Sequence, residues 1–406
     1  MVDMNNFYKI LILFFLICRV IFAQSSPYLI LVSFDGFRWD YANKELTPNL
    51  NLIEENGVKA ISLKPSFPSN TFPNHITIVT GLYPQNHSII SNNFYDKYFD
   101  EYYSIGDTSA VRNPKWYKGE MIWETARRQG LITASYFWPG SEMNLEFRRP
   151  NYYEKYDHNR DYFLRVNGVL DWLKLPYDKR PKFITLYFDM VDTYGHKYGP
   201  HSEETNKAVH FVDSVLGYLI NGITQLNLKD SVNLIVVSDH GMTKTESENT
   251  INVEEIISNN KIKIFGKGST MHLYGAEDEL EEAYLKLVQS KKNYNVYKRT
   301  EIPDYFNFKN NPLIGEVFIL ADVGWSLITN KDIKKDKEYS IGNHGFDNNH
   351  IDMHGIFYAT GPSFKKNYKV GTIENIHIYP LLCRLLNIIP NQSIDGDIKK
   401  IEFILK

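Results

Sequence analysis

Tyr28-Leu29-Ile30-Leu31-Val32-Ser33-Phe34-Asp35-Gly36 is a nearly continuous apolar run of strand length that stops at an acid and a glycine. A strand reads this way when both of its faces are covered, because neither face then needs polar residues. The pattern recurs in Phe183 to Phe188 before Asp189, and in Asn233 to Val237 before Ser238-Asp239. Helical patterns lie between and beyond these runs, at 48–55, 120–129, 203–220 and 277–289. Alternating strands and helices predict an α/β domain, doubly wound about a central, mostly parallel sheet. Such sheets bind ligands at the carboxyl ends of their strands, which is where the three acids fall.

The chain has 406 residues, which suits one catalytic domain with an insertion. The stretch 243–339, rich in Lys, Asn and Glu and without ligand-like segments, reads as that insertion. A net charge of -3 argues against a nucleic-acid polymer as partner. Residues 1–23 read as a secretory signal: Phe7 to Phe22 is nearly all apolar, and Ile21-Phe22-Ala23 ends in a small residue. The run is short for a membrane span and is broken by Arg19, yet an uncleaved anchor is the competing reading. Only in that case, or with an anchor outside this sequence, is membrane attachment expected. Two acceptor triplets, Asn86-His87-Ser88 and Asn391-Gln392-Ser393, accord with export to the extracellular space or cell surface. With Cys18 inside the presumed signal, Cys383 stands alone in residues 24–406, in an apolar helical pattern that reads as core.

Five short segments hold the chemistry: Ser33-Phe34-Asp35-Gly36, Ser69 to His75, Asp192-Thr193-Tyr194-Gly195-His196, Ser238-Asp239-His240-Gly241 and Asn343 to Asn348. Their Asp and His residues make an almost complete ligand list for two zinc ions, cysteine being absent from them. Asp192 and His196, four residues apart, reach one ion from a helical turn or a tight loop. A turn before Gly241 is needed to bring both Asp239 and His240 to one cluster, since an extended strand would part them. Thr71 is the candidate nucleophile: Pro73 marks the start of a helix, and a threonine there faces free N–H groups that favour a phosphate. An ordinary helix cap is the alternative for that segment alone.

In order along nearly the whole mature chain, Val32 to Gly36, Thr71 to His75, Gly81-Leu82-Tyr83-Pro84, Trp138-Pro139-Gly140-Ser141-Glu142, Asp239 to Met242 and His344 to Asn348 resemble the nucleotide pyrophosphatase/phosphodiesterases of the alkaline phosphatase superfamily. The resemblance implies an alkaline-phosphatase-like fold. It implies one zinc on Asp192, His196 and His344, and a second on Asp35, Asp239, His240 and the Thr71 hydroxyl. Thr71 would form a phospho-threonine ester that water then hydrolyses, with the Asn92 amide donating to a non-bridging oxygen. Phe72 and Tyr156 would sandwich a base, the latter chosen from Tyr152, Tyr153 and Tyr156 by spacing. His344 rather than His354 matches the ligand position. The implied substrates are nucleotides such as ATP, ADP, dinucleoside polyphosphates and NAD-like pyrophosphates, released as nucleoside 5'-monophosphates. Choline phosphodiesters or lysophospholipids are the alternative on the same core. A non-catalytic extracellular binding protein is the alternative from another class, and it predicts losses among these residues that the sequence does not contain.

Overall fold

A computed structural model describes residues 27–43, 45–333 and 340–406, so the expected signal at 1–23 lies outside the described residues. Eight strands form the central sheet: β1 (Tyr28–Phe34), β2 (Val58–Ala60), β3 (Thr133–Tyr136), β4 (Tyr152–Glu154), β5 (Phe183–Phe188), β6 (Val232–Val237), β7 (Phe357–Thr360) and β8 (Tyr368–Val370). Their order across the sheet is β8-β2-β7-β6-β1-β5-β3-β4. β1 lies parallel to both β5 and β6, and β7 alone runs antiparallel to its neighbours. The sheet is therefore mostly parallel, as the three apolar runs predict.

Alternation along β1 divides the interior in two. Leu29 and Leu31 enter one core, with the helices α2 (Thr71–Thr80), α3 (Ile122–Arg128) and α7 (Ile378–Leu386). Ile30, Val32 and Phe34 enter the other, with α1 (Pro48–Asn56), α4 (Tyr162–Lys174) and α6 (Glu203–Gln225). Both faces of β1 are dry, and all seven of its residues are buried. Cys383 sits in α7, 1% exposed, and burial pushes its thiol up to about 12. A second, four-stranded antiparallel sheet, from Lys263–Lys267, Thr270–Tyr274, Val317–Ala321 and Tyr294–Lys298, packs with the helix Glu277–Gln289 around its own core. Among the described residues no helix is long and apolar enough to cross a membrane.

Burial in the second sheet sets a pH dependence. His272 is 2% exposed, its Nδ1 accepts the Gly315 N–H at 3.1 Å, and burial lowers its pKa from 6.5 to about 3. Between those values the unfolded chain holds a proton that the folded chain does not. Stability therefore falls as pH drops below 6.5, by about 1.4 kcal/mol per pH unit from this group. Urea unfolding of His272→Gln between pH 6 and pH 4 is expected to lose that much of the wild-type slope; an unchanged slope would refute the assignment.

Candidate active site

The acids do stand at the carboxyl edge of the sheet. Asp35 follows β1, Asp239 and His240 follow β6, and α5 (Met190–Tyr198), entered from β5, carries Asp192 and His196 on one turn. Gly36 allows these pieces to meet. Its φ is +64°, and a Cβ there would lie 2.8 Å from the Asp192 Cα, so only glycine lets α5 approach the end of β1. The chain leaves strand geometry at Ser238, which relieves the opposite-face problem for Asp239 and His240.

Each expected histidine ligand is anchored by its Nδ1–H. His196 donates to the Gly342 carbonyl at 2.8 Å, His240 to the Gly241 carbonyl at 2.7 Å and His344 to the Ser69 carbonyl at 2.9 Å. A carbonyl only accepts, so Nδ1 is the bonded nitrogen in all three rings and Nε2 is the one turned to the site. Around Asp192 Oδ1, His196 Nε2 lies at 3.4 Å and His344 Nε2 at 3.7 Å. Around His240 Nε2, Asp239 Oδ2 lies at 3.1 Å, Thr71 Oγ1 at 3.2 Å and Asp35 Oδ1 at 3.3 Å. The two clusters adjoin, the His240 and His344 rings stacking 3.7 Å apart, and Asp35 also falls within one possible metal group with Asp192 and His240.

The donor set fits divalent cations. Asp35 Oδ1, Asp192 Oδ1 and Asp239 Oδ2 are buried without a hydrogen-bond partner, and an orphaned carboxylate oxygen is costly to bury. Burial pushes Asp192 up to about 6 against the attraction of His196, and burial with the Asp35 charge raises Asp239. Burial also acts on Asp35, but the neighbouring His240, its Nε2 3.3 Å from Asp35 Oδ1, outweighs it and holds this carboxyl well below the usual range. Burial and the neighbouring His240 and His196 drive His344 far down. Three acids and three imidazoles crowded this way match a site that holds positive charge.

Two other histidines are excluded by their bonding. His75 donates Nδ1–H to the Thr71 carbonyl at 2.9 Å and accepts at Nε2 from Ser33 at 2.8 Å, while the Trp138 indole braces it. His354 has Ser62 Oγ at 2.9 Å from Nδ1 and the Asn348 carbonyl at 3.1 Å from Nε2. Neither keeps a nitrogen for a metal.

Thr71 is the first residue of α2 and 8% exposed. Beside it, the Phe72 N–H donates to Asn92 Oδ1 at 2.9 Å, which leaves the Asn92 amide nitrogen as the free donor. Thr71, Phe72 and Tyr156 line one cavity of about 300 Å³ together with Asp35 and Asp192. The Tyr156 ring is 5.4 Å from Phe137 and 6.3 Å from Tyr187. Sequence reasoning missed Tyr187, whose hydroxyl donates to Asp35 Oδ2; a phenol one residue from the end of a buried run before an acid is its faint signal. Asp189 binds Arg165, Tyr162 and His158.

Comparison with known proteins gives the family and the fold. Residues 29–347 match the type I phosphodiesterase / nucleotide pyrophosphatase family. A venom phosphodiesterase from Crotalus durissus collilineatus is 37% identical over 96% of this chain and 47% of its own, so the chain spans about half the length of such relatives. Human ectonucleotide pyrophosphatase/phosphodiesterase family member 5 is 34% identical over 89% of this chain and 74% of its own. Murine ectonucleotide pyrophosphatase/phosphodiesterase 5, solved with AMP in an inactive threonine-to-alanine form, superposes with a TM-score of 0.88 at 32% identity, over 94% of this chain and all of that one. The architecture is thus the expected alkaline-phosphatase-like α/β fold.

Metal removal is expected to weaken the fold. At a hundred times its dissociation constant, a bound divalent ion adds about 2.7 kcal/mol to unfolding per site. Urea titration with and without a chelator measures this, and coincident curves for metal-loaded and stripped protein would contradict the site.

Proposed function

This chain belongs to the type I phosphodiesterase / nucleotide pyrophosphatase family, and on that premise we propose that it hydrolyses extracellular nucleotides to nucleoside 5'-monophosphates through a phospho-threonine intermediate. One observation carries the reading: Thr71 Oγ1 sits at the start of α2, 3.2 Å from His240 Nε2, against a cluster of partnerless carboxylate oxygens. Two zinc ions are the proposed cofactors, one held by Asp192, His196 and His344, the other by Asp35, Asp239, His240 and the Thr71 hydroxyl. Bound there, they supply charge stabilisation to the attacking and leaving oxygens of an in-line displacement.

The protein's own groups do the rest. Thr71 Oγ bonds to phosphorus as the bond to the leaving group breaks, and water then cleaves the threonine ester. The Asn92 amide nitrogen, aimed by the Phe72 N–H, donates to a non-bridging oxygen. The N-terminus of α2 favours the phosphoryl charge. Phe72 and Tyr156 stack a base, which tolerates many nucleotides: ATP, ADP, dinucleoside polyphosphates and NAD-like pyrophosphates. The AMP held by the inactive murine relative supports a nucleoside monophosphate as product. The venom relatives support a secreted or cell-surface enzyme. Residues 24–406 then form the catalytic domain, with the second sheet in an insertion at about 243–339.

Thr71→Ala is expected to lower turnover of ATP by about a thousandfold or more while zinc content is kept; near-normal turnover would remove Thr71 as nucleophile. Phe72→Ala is expected to raise the KM for ATP by about tenfold or more, the worth of one stacked base, with far less effect on bis(p-nitrophenyl) phosphate. Equal effects on the two substrates would refute stacking.

A further inference from the structure

His158 lines the same cavity as Thr71, Phe72 and Tyr156, yet belongs to none of the segments that carry the family resemblance. Its support is unusually complete. Nδ1 lies 2.8 Å from Asp189 Oδ2 and 3.3 Å from the Tyr156 hydroxyl. Asp189 is 7% exposed, and its other oxygen accepts from Arg165 Nη1 at 3.1 Å and the Tyr162 hydroxyl at 3.0 Å, so Oδ2 is left to the imidazole. Arg165, fully buried, also donates to the carbonyls of His158 at 3.3 Å and Arg160 at 3.0 Å. One buried ion pair thus holds both the backbone and the ring of His158.

That support fixes the tautomer. Asp189 takes Nδ1–H, which leaves Nε2 as an acceptor, and Nε2 makes no hydrogen bond to any described residue. An acceptor does not suit a phosphate oxygen, which has no proton to offer. A sugar hydroxyl does suit it. Position agrees: His158 lines the cavity together with Tyr156, Asp35 and Asp192, and its ring lies 3.3 Å from the Tyr156 hydroxyl, so a nucleotide stacked on Tyr156 with its phosphate at the carboxylates would carry its sugar through the cavity that His158 lines.

We propose that His158 is a specificity-determining residue whose Nε2 accepts a hydroxyl of the substrate's ribose, an inference that rests on the nucleotide-hydrolase reading. Asp189 and Arg165 act through it as positioning residues.

The test measures kcat and KM for ATP and 2',3'-dideoxy-ATP in the wild type, His158→Ala and His158→Gln, following nucleoside monophosphate by chromatography. The wild type is expected to favour ATP by about tenfold in kcat/KM, mainly through KM, the value of one hydrogen bond. His158→Ala brings the ratio close to one, and His158→Gln, which keeps an acceptor, restores part of it. The side chain is 61% exposed, so thermal unfolding of both variants should match the wild type. A wild-type ratio retained by His158→Ala, or a wild-type ratio near one, overturns the role of His158 and leaves the nucleotide reading standing. Failure of the wild type to cleave either nucleotide while it cleaves bis(p-nitrophenyl) phosphate overturns both.

Discussion

Three carboxylates, those of Asp35 and Asp239, both buried, and of the partly buried Asp192, share one cluster, each with a buried oxygen that no donor satisfies. Like charges at that spacing repel, and withdrawal from water makes the repulsion expensive. The fold tolerates the arrangement because the surrounding groups are built to carry positive charge into it. Three imidazoles turn Nε2 inward, each held at Nδ1 by a backbone carbonyl from a different segment. The His240 bond to Gly241 fixes the loop after β6 on itself, while α5, the segment 342–344 and the loop ahead of α2 are therefore held to one another through the site as well as through the cores. Its electrostatics and the closure of those loops are one constraint.

Much of this was legible in the sequence. Strands buried on both faces leave unbroken apolar runs, so Tyr28–Phe34 and Phe183–Phe188 have the bounds their composition implies, and the helix Glu277–Gln289 follows from its periodicity. Thr133–Tyr136 and Tyr152–Glu154 escaped, being three or four residues long and mixing hydroxyls with rings. The sheet thus extends further past β5 than apolar runs alone reveal. Among side chains, Asp and His stand out by type wherever they cluster. The partners that orient them do not: Tyr187 holds Asp35, yet it reads as a core residue until the strands are placed side by side.

Asp189 shows the limit from the other direction. It stands three residues before Asp192, but proximity in sequence says nothing of which way a carboxylate turns. At the end of β5 it faces α4, and Arg165 there, fully buried, needs a counter-charge. The ion pair that results is satisfied on every side, with the Tyr187 carbonyl also accepting from Arg165. Such a pair adds little net stability over an apolar alternative, and its better-attested use is to fix geometry.

The cavity accordingly has two ends made by different means. At the reacting end, ligands come from strand termini and the first turns of helices, whose positions follow from the sheet itself. At the other end, Tyr156 and His158 lie in an irregular segment beyond β4, tied down by side chains: Glu142, itself paired with Arg112, accepts the Tyr156 N–H, and Asp189 takes the His158 ring. A change in the first end disturbs the sheet edge. A change in the second needs only a new set of side-chain ties, so substrate preference is free to shift while the reacting groups stay where the parallel strands put them.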